Sequence, residues 1–347
     1  MELQKKDILD LSKQDMEEWL KKLSEPAYRA KQIFGWLHFK HASKFDEMTD
    51  VPNKLRVCLE KSFYIGGISI EKKLRSSDGT LKYLFSLKDL NCIESAVMFY
   101  NHGISVCIST QVGCRMGCVF CASTGSGLIR NLTVSEMLQQ VYAIAEDIND
   151  RVNSVVLMGI GEPLDNFCNV ARFYDMITDK DAYALSNRSV SLSTCGLADD
   201  IDKLADLNKQ LTLSVSLHAA TDKKRDALMP VNKTYGISRL MKSSIEYQQK
   251  TGRRVSFEYA VMAGYNDTKE DAVQLSKLLN NMKTHVNLIP VNAAGTQDYK
   301  ASVSDAETFR NMLQNLGVNA TVRRTLGADI NAACGQLRKN VLTKPET

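Results

Sequence analysis

Apolar residues recur every three or four positions through MEEWLKKLSEPAYRAKQIFGWL and again through PNKLRVCLEKSF, so residues 1–65 read as helical. Pro26 and Pro52 each suit the opening turn of a helix, where a missing N–H costs nothing. Between 66 and 100 the period shortens. GISIEKKLRSSDGTLKYLFSLKDLNCIESAVMFY reads as short antiparallel strands around the turn Ser77-Asp78-Gly79, a β linker into the main domain.

From about residue 101 the pattern becomes a strict alternation. ISVCIST, SVVLMGI, SVSLST, LTLSVSL, VSFEYAVM and VNLIPV are strand-like runs, separated by helical stretches such as TVSEMLQQVYAIAEDI and KEDAVQLSKLLNNM. The helix AETFRNMLQNL and a last strand, NATVRRT, close the series. Short apolar runs separated by helices predict parallel βαβ units. Six of them make an α/β fold, a partial (β/α)6 barrel over residues 101–347. In such barrels the functional loops follow the C-terminal ends of the strands. The cysteine-rich loop after ISVCIST, Gly161-Glu162, Thr194-Cys195, His218 and Asn292 all fall there, and are expected to face one cavity.

Composition changes this picture little. A chain of 347 residues with 44% hydrophobic and 24% charged residues is an ordinary globular protein. The start of the chain lacks an apolar signal core and no run approaches a membrane span, so a cytoplasmic setting with no membrane is expected. A formal charge of +4 is only a mild hint of an anionic partner.

The cysteines change it more. Nine are too unevenly spaced for a disulfide framework, but Cys114, Cys118 and Cys121 stand at C-x3-C-x2-C in GCRMGCVFCAST. Three thiolates at this spacing can wrap one loop around a small cluster while leaving a metal corner open, as an iron–sulfur cluster with one uncoordinated iron requires. Zinc in a structural site wants four ligands. The alternatives are a zinc knuckle completed by a distant residue such as His102, or three unrelated buried cysteines.

CRMGCVFC, with Phe120 before the last cysteine, resembles the signature of radical S-adenosylmethionine (SAM) enzymes. With CIES at 92–95, MGIGEPLDN at 158–166, VSLHAATDKKRDALMPVN at 215–232 and GADINAACGQLR at 327–338, the chain is similar over essentially its whole length to the RNA adenine-C2 methyltransferases of the RlmN type. The resemblance implies a [4Fe-4S] cluster on Cys114, Cys118 and Cys121. It also implies SAM bound by Gly161, Glu162, Ser193, Ser216, Leu217, His218 and Asn292. Cys334 would carry the methyl group as S-methylcysteine, Cys107 would be the resolving thiol in a transient disulfide with it, and Glu94 the proton acceptor. The substrates implied are the peptidyl-transferase-centre adenosine 2503 of 23S rRNA and adenosine 37 of tRNAs. Two SAM are used per turnover, and the implied partners are an electron donor such as flavodoxin or ferredoxin and a thiol reductant, with the protein acting as a monomer.

Without the resemblance, Cys107 reads as a small buried hydrophobe, Glu94 as a solvated strand residue and His218 as a structural histidine. Lys72, Lys73, Arg75, Arg323 and Arg324 are candidates for phosphate contact, although charge runs are usually solvated surface. Two other functions stay open. One is the Cfr-type C8 methyltransferase, a sibling whose members read GEA where this chain has Pro163 in GEP. The other is a non-catalytic, zinc-stabilised RNA-binding protein.

Overall fold

A computed structural model describes residues 5–125, 127–291 and 300–330. The N-terminal segment begins with a short strand β1 (Lys6–Asp7), followed by helices α1 (Lys13–Lys22), α2 (Tyr28–His38) and α3 (Asn53–Ser62) and by β2 (Phe63–Tyr64), which pairs in parallel with β1. Ser12 caps α1 through a reciprocal pair with Asp15, satisfying two donors that the first turn would otherwise leave open. Met16 and Leu20 of α1, Ile33 and Leu37 of α2, and Leu55 and Leu59 of α3 close a core of their own. Phe34 belongs instead to the main core. The segment is fastened to the rest through polar contacts: the Ser135 hydroxyl donates to Asp7 at 2.7 Å and its N–H to Asp10 at 2.7 Å.

The expected linker is not separate from the barrel. Strands β3 (Ser69–Arg75), β4 (Leu81–Ser86) and β5 (Cys92–Tyr100) are antiparallel to one another, and β5 pairs antiparallel with β6 (Gly103–Cys107), the first barrel strand. A small hairpin, β7 (Gln111–Gly113) and β8 (Leu128–Asn131), comes next, and then α4 (Val134–Ile148). After it run β9 (Val152–Leu157), α5 (Phe167–Thr178), β10 (Val190–Thr194), α6 (Ala198–Asp206) and β11 (Thr212–Ser216). The chain continues through α7 (Asp222–Leu228), α8 (Ile237–Thr251), β12 (Val255–Val261), α9 (Lys269–Leu278), β13 (Thr284–Pro290), α10 (Val303–Asn315) and β14 (Ala320–Val322). One ten-stranded sheet results, in the order β14-β13-β12-β11-β10-β9-β6-β5-β4-β3, parallel from β6 to β14. Its edges β3 and β14 are not paired with each other among the described residues, so the barrel is partial.

The period-2 alternation of the strands sorts side chains between two faces. Ile104, Val106, Val155, Leu157, Val190, Leu192, Leu213, Val215, Phe257, Tyr259, Val286 and Leu288 join the main core beneath the helices. The residues between them point the other way, into the lumen, and most are small or polar: Ser105, Cys107, Ser191, Ser193, Ser214, Ser216, Ser256, Glu258 and Asn287. On the antiparallel edge the same rule puts Tyr83 and Ser95 against α4, where their hydroxyls reach Asp147 and Gln140, and leaves Lys82, Glu94 and Ala96 on the lumen face.

Candidate functional site

The cysteine loop is the tip of the β7–β8 hairpin rather than a direct continuation of β6. Gly113 closes it at φ +77°, and a Cβ there would lie 1.9 Å from the Gly127 carbonyl oxygen, so only glycine fits. Beside it the Cys114 N–H donates to that same carbonyl at 3.0 Å, and the Val119 N–H donates to Leu228 O at 3.0 Å, pinning the tip to the end of α7. Cys118 is buried with Cys195, Leu228, Met229 and Met262, and Met116, Phe120 and Cys121 pack against this apolar patch. Burial pushes the Cys114 thiol up to about 12 and that of Cys118 up as well. Thiols so placed stay protonated until a cation takes the proton's place.

Among the described residues, no three His, Cys, Asp or Glu side chains converge closely enough to share one metal ion. A structural zinc would need four ligands on one centre. Three sulfurs that each bind a different iron of a polynuclear cluster need no such convergence. The proposed fourth zinc ligand is also misplaced: His102 lies in the β5–β6 turn, stacked on Tyr100, at the end of β6 away from the cysteine loop.

The exits of β9, β10 and β11 are tied together beside this loop. Gly161 has φ +109°, and a Cβ would sit 2.6 Å from Gln111 Cβ, so the chain can pass there only as glycine. Glu162 is buried, with Oε2 accepting from the Cys195 N–H at 2.7 Å and Oε1 from the Leu164 N–H at 3.0 Å. Its own N–H donates to Gln111 Oε1 at 2.8 Å. Burial raises its pKa despite those hydrogen bonds. The Thr194 and Cys195 side chains also hydrogen-bond to this carboxylate. Ser193 and Ser216 are half-buried on the lumen face, whereas the Leu217 side chain is fully buried in the core, which leaves its backbone for any ligand.

His218 has a left-handed backbone, φ +58°, unusual for a side chain with a Cβ. Its Nδ1 accepts from the Ala260 N–H at 2.9 Å, which assigns the proton of the neutral ring to Nε2. Burial, with the Arg225 charge adding to it, pushes its pKa down to about 3. The ring meets Phe120 edge-on, centroids 4.7 Å apart.

Arg225, at 0% exposure, is the residue that pattern reading missed. Its guanidinium donates to Cys195 O at 2.7 Å, Ser216 O at 3.1 Å, Leu217 O at 3.2 Å and Asn232 Oδ1 at 2.7 Å, joining the β10 and β11 exits to the turn after α7. In DKKRDAL it looks like one member of a charge run. The available signal was Leu228 three residues on, which puts both on one helix face.

On the other side of the lumen, Cys107 ends β6 on the lumen face, in register with Ala96 of β5 and Val156 of β9. Burial raises its thiol pKa, while the Arg323 charge and a hydrogen bond from the Met158 backbone lower it. Arg323 also acts on the buried Glu258, so its charge lies over the barrel mouth. Glu94 stands two residues before Ala96 on the lumen face, and is buried. Lys73 forms an ion pair with Asp147 on the outer face. Lys72, Arg75 and Arg324 are exposed. Asn292 and Cys334 lie outside the described residues.

The chain matches two family models: the ribosomal RNA large subunit methyltransferase N-terminal domain over residues 6–65, and the radical SAM superfamily over residues 108–276. It is 49% identical to a probable dual-specificity RNA methyltransferase RlmN of Alkaliphilus oremlandii, over 98% of this chain and 99% of that one. The chain belongs to the RlmN family of radical SAM RNA methyltransferases. An RlmN relative from Clostridium botulinum is 47% identical over 97% of this chain and 99% of its own. A radical SAM methyltransferase from Sphaerobacter thermophilus has the same fold, with a TM-score of 0.90 and 38% identity, over 95% of this chain and 98% of that one. The protein is therefore a methyltransferase enzyme, and radical SAM enzymes work with a [4Fe-4S] cluster and SAM. The three loop cysteines and the open, polar lumen beside them suit that pair of groups. Among the described residues no helix is long and apolar enough to cross a membrane.

Proposed function

We propose that this enzyme methylates carbon 2 of adenosine 2503 in 23S rRNA and of adenosine 37 in tRNAs, in the cytoplasm, carrying the methyl group on Cys334. The observation that carries the reading is the shared lumen. Cys107 and Glu94 occupy its β5–β6 wall, while Glu162, Ser193, Ser216 and His218 border the cysteine loop at the strand exits.

Carbon 2 is an electron-poor ring carbon between two nitrogens and does not displace a methyl group from a sulfonium. When bound on Cys114, Cys118 and Cys121, the cluster with SAM supplies the carbon radical that such a carbon accepts. The chain's own residues do the rest. Gly161, Glu162, Ser193, Ser216, His218 and the Leu217 backbone, with Asn292, hold SAM. Glu94 receives the proton that leaves C2. The Cys107 thiolate attacks the Cys334 sulfur, so that a disulfide forms as the sulfur–carbon bond to RNA breaks; the bonding pair leaves with the carbon, which takes up a proton from solvent to become the methyl group, and an external thiol reductant restores both cysteines. The target base must leave its stack to enter the lumen. The N-terminal helices, residues 1–65, grip the RNA fold, with Lys72, Arg75, Arg323 and Arg324 near phosphates. Flavodoxin or ferredoxin is the electron donor.

Anaerobic reconstitution should give about four irons per chain. Mass analysis of adenosine from treated RNA then decides the position. The proposal predicts 2-methyladenosine, in keeping with Pro163, which opens a turn that Glu162 caps. 8-Methyladenosine would replace it by the Cfr-type reading. Zinc in place of iron, with no methylated product, would return the chain to an RNA-binding role.

A further inference from the structure

A lysine is buried in the wall that carries Cys107 and Glu94. The Lys82 Nζ lies 3.4 Å from Glu94 Oε2, and the two side chains are 2% and 5% exposed. Lys82 is directly paired with Ala96, and Ala96 with Cys107, so cation, methyl group and thiol form one row across three strands. Glu94 is the next residue along β5 on that face. Ala96 adds only a methyl group between the carboxylate and the thiol. A strand that needed merely to cover the lumen would carry another apolar side chain, as it does two positions on at Leu84, since a buried ammonium costs several kcal/mol unless its charge is met.

We propose that Lys82 is the positioning residue of the proton acceptor, a role that rests on the reading of Glu94 and Cys107 as proton acceptor and resolving thiol. Its ammonium draws the Glu94 carboxylate along the β4–β5 wall and holds it level with the resolving thiol, where the C2 hydrogen of an RNA–Cys334 adduct arrives. The proton then passes from C2 to a carboxylate oxygen, and the C–H electron pair stays with the ring. Lys82 neither gains nor loses a proton. The pair is neutral before the transfer and carries one positive charge after it.

The test uses the full-length, anaerobically reconstituted enzyme with Lys82→Met, Lys82→Arg, Glu94→Gln and the double Lys82→Met/Glu94→Gln variant. Iron content, methyl on Cys334, covalent protein–RNA adduct on denaturing gels, and turnover are read for each. Lys82→Met should keep its iron and its Cys334 methyl, accumulate the adduct, and lose at least about tenfold in kcat with KM for RNA little changed, a part of the roughly 10²–10⁴-fold that a general base contributes. Lys82→Arg should recover most of the rate. The double variant should be no slower than Glu94→Gln, because a residue that acts through Glu94 has nothing left to act on. That comparison stands even where Lys82→Met alone folds poorly, since the double variant removes both charges of the ion pair. Normal turnover in Lys82→Met, loss of iron and methyl uptake together with turnover, or a further loss in the double variant would overturn the assignment. Absence of adduct in Glu94→Gln itself would defeat the reading of Glu94 instead.

Discussion

Two buried cations, Arg225 at the strand exits and Lys82 in the β4–β5 wall, are built differently. Arg225 spreads its donors over three backbone carbonyls and the Asn232 amide oxygen, all neutral and all fixed by neighbouring elements. Lys82 meets a carboxylate, a partner whose charge can change. A guanidinium ringed by neutral oxygens is a scaffold: it joins loops and stays the same in every state of the reaction. An ammonium beside a carboxylate is suited to a site where a proton comes and goes.

The difference is broken most directly at Arg225. Arg225→Met should destabilise the fold by about 3–5 kcal/mol, because four acceptors lose a buried charged donor at once. Thermal unfolding reads this, and Arg225→Lys should recover only a minor part, an ammonium being unable to span four oxygens. If Arg225→Met instead unfolds like the wild type and loses only turnover, the scaffold role fails.

Glu162 is the anion on Arg225's side, and it sharpens the contrast. It too serves backbone groups, the N–H of Cys195 and of Leu164. In Glu162→Gln one of those donors must face an amide N–H, at a cost of about 1–3 kcal/mol in thermal unfolding. SAM binding should weaken in the same variant. Glu94→Gln, whose carboxylate faces a side-chain ammonium that can turn toward the remaining amide oxygen, should cost less stability and more turnover.

Much of this was legible in the chain. The alternation of SVSLST and LTLSVSL announces both the strands and a lumen lined with serine, because period 2 separates Ser193 and Ser214 from Leu192 and Leu213. The cysteine spacing announced the loop. What sequence hid was long-range pairing. Nothing in the antiparallel pattern of residues 66–100 says that β5 joins β6 rather than forming a sheet of its own, and the ladder is what carries Glu94 and Lys82 into the lumen. Lys82 and Arg225 were hidden for one reason: each is a single charge whose burial depends on strands or helices far away in sequence. The β7–β8 hairpin was missed because strands of three and four residues are too short to show a period.

A third buried basic group, His38, carries no charge at all. It sits at 0% exposure where α2 meets α4, its Nδ1 3.0 Å from the Tyr142 hydroxyl. Burial, with His41 beside it adding a smaller push, lowers its pKa from 6.5 to about 3. Between those two values the unfolded chain takes up a proton that the folded chain refuses. The contribution of His38 to stability is therefore complete above pH 6.5 and falls by about 1.4 kcal/mol for each pH unit below it, down to about pH 3. His38→Gln should flatten that slope by one proton in unfolding experiments between about pH 4 and 6.5. An unchanged slope would mean that His38 is charged in the fold, and so belongs with Lys82 rather than apart from it.

The smallest effect is expected where charges stay in water. Asp78, in the β3–β4 turn, accepts from the Gly327 N–H at 2.8 Å, and Asp329 accepts from the Ser77 N–H at 2.9 Å and from the Ser76 hydroxyl. These contacts join the turn beside edge strand β3 to the segment after edge strand β14, where no ladder closes the sheet among the described residues. That segment leads to Cys334. Both carboxyls are held below their ordinary pKa, Asp78 chiefly by the Gly327 N–H and Asp329 chiefly by the Ser76 hydroxyl. In Asp78→Ala or Asp329→Ala the melting temperature should barely move, because these groups are solvated in either state. Turnover should fall by about threefold on the proposed pairing of Cys334 with Cys107, and the pair should be non-additive if the two contacts act as one clasp. Equal losses in iron content would show instead that the clasp holds the fold, and the contrast between buried scaffold and exposed fastening would disappear.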